Sequence, residues 1–340
     1  MNASQSTRVA VVGLGSIGRR HARLLSERDD VTLTICDAVE AFRSETLATL
    51  HRPAALATAE LPTALAAGQD AVIIATPNHT HVPIGLEALK AGADLLVEKP
   101  VSDTLAQAEI LVSTAEKAGR FVQIGYMLRY DVGLQKLKAW IDDGSLGNIV
   151  SGRSMVGSYI TLLNARSPDR ITQPNTLIVD YTHEIDFVRW LFGEIKSVAA
   201  AGGSLGQLEL KPTPNVFQMI LRTASDALVQ VHLDYVQFPQ RRMLEVFGDR
   251  GTATYDFSTG EIRKFAFERD HRWASHDVPP IANRWDDLFR LEHASFLQTR
   301  RAGRSSVVSG RDGLVTLQLA EAAILAAANR TWIDTPGTNP

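Results

Sequence analysis

Cysteine is nearly absent from this chain: Cys36 is the single one in 340 residues. One thiol cannot close an internal disulfide or build a cysteine-based metal site, so the expectation is a core-stabilised protein of a reducing compartment, the cytoplasm. Long apolar runs are also missing. Leu319 to Ala328 is Ala-rich and broken by Glu321, well short of the ~18 consecutive apolar residues of a membrane span. Val9 to Ile17 is interrupted by Gly13 and Gly15 and carries Arg19-Arg20 on its far side, so it does not read as a signal peptide. Excess charge is lacking too. With 35 Lys and Arg against 38 Asp and Glu, the net charge of -3 creates no global field, and neither nucleic acid nor a membrane is expected as a partner. The nine histidines are scattered, His79 and His81 standing two apart, and no metal site is expected. What is present is ordinary globular composition, 45% hydrophobic and 21% charged, over a length that accommodates about two domains.

Up to about residue 125 short apolar runs alternate with amphipathic stretches, the pattern of a parallel sheet with crossover helices. Strands are expected at Val9–Val12, Thr32–Cys36, Ala54–Ala57, Ala71–Ala75, Leu95–Val97 and Phe121–Ile124, with helices at 16–28, 39–50, 60–67, 80–91 and 103–118. Continuous Val/Ile/Leu runs suit strands covered on both faces. Asp103 is the expected N-cap of the last helix. After a helix near 131–143 the pattern turns to period-2 alternation at about 149–160, 195–203, 215–222, 227–235, 241–248 and 252–257, with helices at about 180–192, 285–302 and 309–329. The fold class expected is therefore an α/β Rossmann domain, 1–125, followed by an α+β domain, 126–340, with a large open, mostly antiparallel sheet. The last long helices are candidates to pack back on the first domain. Asn164 to Asn175, rich in Pro, Arg and Ser, reads as a long loop and a candidate substrate contact.

Gly13-Leu14-Gly15-Ser16-Ile17-Gly18 follows the first strand and opens the first helix. In that context the first Gly makes the tight turn, the second lets the backbone approach a pyrophosphate and the third lets helix and strand pack closely. The free N–H groups of the helix start, at Ser16, Ile17 and Gly18, favour phosphate. Asp37 closes the second strand 19 positions after Gly18, where an acid accepts hydrogen bonds from the adenosine ribose. A 2'-phosphate of about two charges would be repelled there by on the order of 2 kcal/mol at ~4 Å in a water-like dielectric. With no Arg following Asp37 to compensate, the expected cofactor is NAD and not NADP.

The fourth strand ends in Thr76-Pro77-Asn78-His79-Thr80-His81 and the fifth in Glu98-Lys99-Pro100; Gly125 to Tyr130 and Asp180 to Asp186 complete the set. In these residues the sequence resembles the glucose-fructose oxidoreductase, inositol dehydrogenase and rhizopine-catabolism superfamily (Gfo/Idh/MocA). The resemblance implies hydride exchange between NAD(P) and a hydroxyl of a sugar, cyclitol or related derivative. It implies that Lys99 contacts substrate and cofactor, and that His183 with Asp180 supplies acid/base chemistry. It also implies that Thr76, Asn78, His81 and Glu98 border the cofactor, and that the chain forms a homodimer or homotetramer through the open face of the second sheet. Alternation at Leu228–Leu233 and Leu244–Phe247 is read as leaving an apolar face to cover.

Removing hydride from a secondary alcohol leaves a proton on oxygen, so the site needs a base whose pKa can approach the working pH. A histidine starts at about 6.5. A lysine starts near ~10.4, and an oxidised nicotinamide ring at ~5 Å would lower it to about 8. Whether Lys99 or His183 is the base stays open. Asp180 and His183, at i and i+3, are expected on one helix face. Arg129 and Tyr130 are read equally as substrate contacts or as pins, Asp186 as a packing residue, and Arg153, Arg166 and Arg170 as candidate partners of an acidic substrate. Two other readings remain: a glycosidase that keeps NAD bound and cleaves by oxidation and elimination, and a non-catalytic dinucleotide-binding regulator.

Overall fold

The computed structural model describes residues 6–164, 173–266, 273–277, 284–303 and 306–335. The chain opens with β1 (Thr7–Val12), α1 (Ser16–Leu25), β2 (Val31–Cys36), α2 (Glu40–Leu47), β3 (Leu56–Thr58), α3 (Leu61–Ala66) and β4 (Ala71–Ile74). It continues with α4 (His81–Lys90), β5 (Asp94–Val97), α5 (Leu105–Lys117), β6 (Val122–Ile124), α6 (Val132–Asp142), β7 (Ile149–Gly157), α7 (Ile160–Leu163), α8 (Thr176–Asp180) and α9 (Thr182–Phe192). The strands β8 (Ile195–Gly203), β9 (Val216–Thr223), β10 (Leu228–Asp234), β11 (Arg241–Gly248), β12 (Gly251–Asp256), β13 (Glu261–Ala266) and β14 (Trp273–Asp277) follow, then α10 (Arg284–Ala302), α11 (Gly310–Asn329) and β15 (Ile333–Asp334).

Two compact units result, one of Met1–Met127 with Asn283–Leu317, the other of Leu128–Ala282 with Gln318–Pro340. In the first unit six parallel strands are ordered β3-β2-β1-β4-β5-β6. Strand order reverses between β1 and β4, which opens a crevice at their carboxyl ends. The strands read as unbroken apolar runs because β4 and β5 are buried at every residue. The core joins Val9, Val11, Leu33, Ile35 and Ile73 to Phe296 and Leu297 of α10. Helix α5 is capped by Thr104, whose hydroxyl accepts from the Gln107 N–H, and not by Asp103. The extended backbone of Thr104 sets its side chain over the first turn.

Among the described residues of the second unit nine strands are ordered β14-β13-β12-β11-β7-β10-β9-β8-β15. Among the described residues only β7 and β10 of this sheet pair in parallel. The inward positions Val229, Val231, Leu233, Leu244 and Val246 are buried within the unit itself. The opposite face is mixed: Ile220 and Leu228 stand among the exposed Gln218, Gln230 and Arg153. The expected helix 180–192 breaks at Tyr181 (φ -106, ψ 28), so Asp180 ends α8 and His183 lies in the first turn of α9. The two residues do not share a face of one helix, because the chain turns between them. Among the described residues no helix is long and apolar enough to cross a membrane.

Candidate active site

The turn after β1 is built for close approach. Gly13 has φ +88, and a Cβ there would lie 2.7 Å from the Ala75 carbonyl oxygen. A Cβ on Gly18 would fall 1.7 Å from the Gly13 oxygen, so α1 can start against the turn only with hydrogen at that position. Gly15 behaves oppositely, since a Cβ there would meet nothing within 4 Å. Gly15 is the N-cap of α1, makes no side-chain cap and precedes a first turn without acidic residues, while Ser16 and Ile17 are exposed. Uncapped N–H groups beside open space, at the positive end of a ten-residue helix, fit a pyrophosphate.

Asp37 stands at the end of β2. Its Oδ2 accepts from the Leu14 N–H at 2.7 Å and its Oδ1 from the Val39 N–H at 2.8 Å. An arginine does follow it at some distance. Arg43 Nη1 donates to the carbonyl oxygens of Asp37 and Ala38 at 2.6 and 3.1 Å, a contact one turn along α2. Cys36, just before, is buried, and burial with the Asp37 charge pushes its thiol up to about 11.

Thr76 follows β4, and its hydroxyl accepts from the Thr80 hydroxyl at 2.6 Å across the single helical turn Asn78–Thr80. Asn78 is half-buried and His79 exposed. His81 is fully buried, its Nε2 2.8 Å from the Thr76 carbonyl oxygen and its Nδ1 3.0 Å from that of Pro100. Burial holds its pKa below the usual histidine value. His81 therefore ties the loop after β4 to the cis Lys99–Pro100 segment after β5. Glu98 turns its Oε2 to the Lys99 N–H at 3.2 Å and its Oε1 to His21 Nε2 at 2.9 Å. Lys99 is half-buried at this strand end. A Cβ on Gly125 would lie 2.9 Å from Glu98 Oε2, so glycine leaves that carboxylate its space.

In the second unit, Asp180 accepts a hydrogen bond from the Tyr235 hydroxyl. The rings of Tyr235 and Tyr181 lie 5.7 Å apart, and burial raises the Tyr181 phenol to about 12. His183 is 8% exposed, and beside it the buried Glu184 carboxylate meets Arg242 Nε at 2.7 Å. Arg129 grips Asp186 with two parallel bonds, 2.9 and 2.6 Å, and lies 5.9 Å from the Trp190 ring. Arg129 and Asp186 thus fix α9 within this unit. Arg153 is engaged by Glu245 at 2.9 Å on neighbouring strands; Arg166 and Arg170 lie outside the described residues.

Sequence reasoning missed three features. Tyr235 sits 55 positions from Asp180, and the Arg242–Glu184 pair likewise bridges distant segments. The third is a buried cluster of His21, Glu98, Glu292 and His293. On α10 the buried positions Leu288, Phe289, Glu292, His293, Phe296 and Leu297 form one stripe. A Glu-His pair inside an otherwise apolar i, i+3, i+4 stripe was the available signal.

A doubly wound parallel sheet with an uncapped glycine-lined helix start at its switch point defines a dinucleotide-dependent oxidoreductase scaffold. The oxidoreductase family model for an NAD-binding Rossmann fold matches residues 7–126, and the model for the family's C-terminal alpha/beta domain matches 138–335. The chain belongs to this Gfo/Idh/MocA oxidoreductase family, and its cofactor is NAD. It is 27% identical over 350 positions to inositol 2-dehydrogenase of Acidothermus cellulolyticus, covering 100% of this chain and 98% of that one. Against myo-inositol 2-dehydrogenase of Thermotoga maritima the identity is 26% over 329 positions, 93% and 95% of the two chains. The structure of a levoglucosan dehydrogenase in complex with NADH and levoglucosan superimposes with a TM-score of 0.85 at 20% identity, covering 98% of this chain and all of that one.

Proposed function

We propose that the protein is an NAD-dependent dehydrogenase acting on a secondary hydroxyl of a cyclitol, sugar or sugar derivative, with Lys99 and His183 as its proton-transfer residues. The observation that carries the reading is the placement of Lys99. It lies two residues past the end of β5, directly after Glu98, whose carboxylate is held by the Lys99 N–H and by His21, on the edge of the sheet where ligands of such folds bind. Whole-length similarity to two inositol dehydrogenases supports the substrate class.

When bound, NAD supplies the hydride acceptor. The chain's own residues supply the rest. The N–H groups of Ser16, Ile17 and Gly18 hold the pyrophosphate, Asp37 accepts from the adenosine ribose, and Asn78 lines the path toward the nicotinamide side. His81, with both ring nitrogens on main-chain carbonyls, positions the Thr76 and Lys99 loops. Lys99 or His183 takes the hydroxyl proton as the carbinol carbon is oxidised, and Asp180, bonded by Tyr235, completes the acid/base set. We assign self-association to the mixed outer face of the second sheet. Sedimentation showing only a one-chain species at micromolar concentration would remove that assignment.

The test is absorbance at 340 nm with NAD and a panel of inositols, aldoses, anhydro-sugars, sugar acids and nucleotide sugars. NADH formation with one polyol class, lost in Lys99→Ala and in His183→Ala with NAD affinity retained, is the expected result. NAD binding with a silent panel, followed by glycoside cleavage without net NADH, would replace the dehydrogenase by a glycosidase with resident cofactor. Binding without either reaction would leave a regulator.

A further inference from the structure

Two helices of the first unit put polar groups where apolar ones would pack. On α1 the buried side includes Gly18, His21, Ala22 and Leu25, and on α10 Glu292 and His293 interrupt a stripe of Leu and Phe. His21 and Glu292 are wholly buried, and His293 is 1% exposed. His21 Nε2, one oxygen of Glu98 and one of Glu292 all lie within 4.8 Å of one another. Behind them His21 Nδ1 is 2.7 Å from His293 Nε2.

Neither oxygen of Glu292 has a hydrogen-bond partner among the described residues, nor has His293 Nδ1. An unpartnered carboxylate beside a second one, away from water, is costly unless something positive or a proton sits between them.

We propose that His21, Glu98 and Glu292 bind one divalent transition-metal ion of the zinc or manganese class, with His293 orienting His21 from behind. Two carboxylates balance the ion's two charges. One imidazole with carboxylate oxygens is a donor set for zinc, manganese or ferrous ions, whereas magnesium and calcium prefer oxygen alone. Ligand atoms around a tetrahedral ion stand about 3.4 Å apart at bonds of ~2.1 Å, so His21 Nε2 and Glu98 Oε1, now 2.9 Å apart, open by about half an ångström to admit the ion, while Glu292 offers its oxygen within 4.8 Å of both. A metal-ligating histidine ordinarily donates its other ring N–H to a neighbouring acceptor, which His293 Nε2 provides. Glu98, with 14% of its side chain exposed, gives the ion its route in. The ion ties α1, the end of β5 and α10 together, a structural role that stands apart from the reading of the reaction.

The experiment strips the full-length protein with a chelator and titrates it with Zn2+, Mn2+ and Mg2+ separately, following heat of binding, metal content after gel filtration and thermal midpoint. One equivalent of Zn2+ or Mn2+ per chain, a raised midpoint and no response to Mg2+ are expected. Glu292→Gln should abolish the equivalent and His293→Gln should weaken it 10–100-fold. Co2+ substitution gives a second readout on the unmutated protein, visible absorption of a tetrahedral or five-coordinate ion. Absence of stoichiometric ion in the unmutated protein overturns the proposal and leaves the cluster a shared-proton site. So does an equivalent that survives in Glu292→Gln, or in His21→Gln should the first variant fail to fold, since that ion would reside on surface histidines.

Discussion

Asp37 holds the glycine-rich turn from below: its Oδ2 accepts the Leu14 N–H at 2.7 Å while Oδ1 takes that of Val39. The carboxylate proposed to read the ribose is thus part of the turn proposed to cradle the phosphates. Arg43 waits next to it, occupied by the Asp37 and Ala38 carbonyls.

Asp37→Ser should therefore weaken NAD and admit NADP. Removing the negative charge relieves about 2 kcal/mol of repulsion toward a 2'-phosphate, about thirtyfold in NADP affinity, and frees Arg43 to meet it. Fluorescence titration with both nucleotides checks this. The double variant Asp37→Ser/Arg43→Ala should lose part of the NADP gain, and equal NADP affinity in the two would show that Arg43 takes no part.

Arg129→Met alone should destabilise the second unit by about 3–5 kcal/mol, because it removes the guanidinium fork that meets the buried Asp186 charge. Adding Asp186→Leu should recover most of the loss. Urea unfolding of the single and double variants measures the coupling, and additive losses would contradict it.

Acid stability should depend on Asp30. The Arg28 fork holds its carboxyl at about 2 against the opposing effect of burial, and Arg301 adds to it. A depressed folded-state pKa stabilises above the unfolded value near ~4 and is lost as pH falls from there through about 2. Asp30→Asn should flatten the fall of the urea midpoint across that window. Parallel curves for variant and parent would contradict it.

Cys36 should be inert in the folded state. Buried, with its thiol pushed up to about 11, it should react with a thiol reagent at pH 8 at least about a hundredfold slower than in denaturant. Fast labelling of the native protein would show that the end of β2 opens.

Tyr235→Phe should lower kcat/KM about tenfold in the dehydrogenase assay, since the hydroxyl bonded to Asp180 is lost. NAD affinity should be unchanged. A silent substitution would reduce the pair to packing.

The parallel sheet was legible because its strands are buried on both faces and read as unbroken apolar runs between helices. The glycine turn was legible because its spacing is local. The edge strands β13 and β14 were not: Glu261-Ile-Arg-Lys-Phe-Ala alternates too weakly among charges to announce a strand. The break at Tyr181 was invisible because 176–192 is continuous in helix-compatible residues, and only its backbone turn separates Asp180 from His183. His21 and His293, 272 positions apart, meet through tertiary packing that no window of sequence contains.

The first unit is assembled from both ends of the chain, and this bears on how it is made. Phe296 and Leu297 complete the core that holds β1 and β2, Phe296 meets Phe121 edge to face at 5.4 Å, and Arg23 on α1 meets Asp286 at 2.6 Å. During synthesis the nucleotide-binding half therefore emerges first yet lacks these partners until more than 150 further residues have been translated. The nascent sheet must wait with its α1 side uncovered, so chaperone demand should fall early in translation, and a ribosome stalled before α10 should present a chain that proteases cut readily.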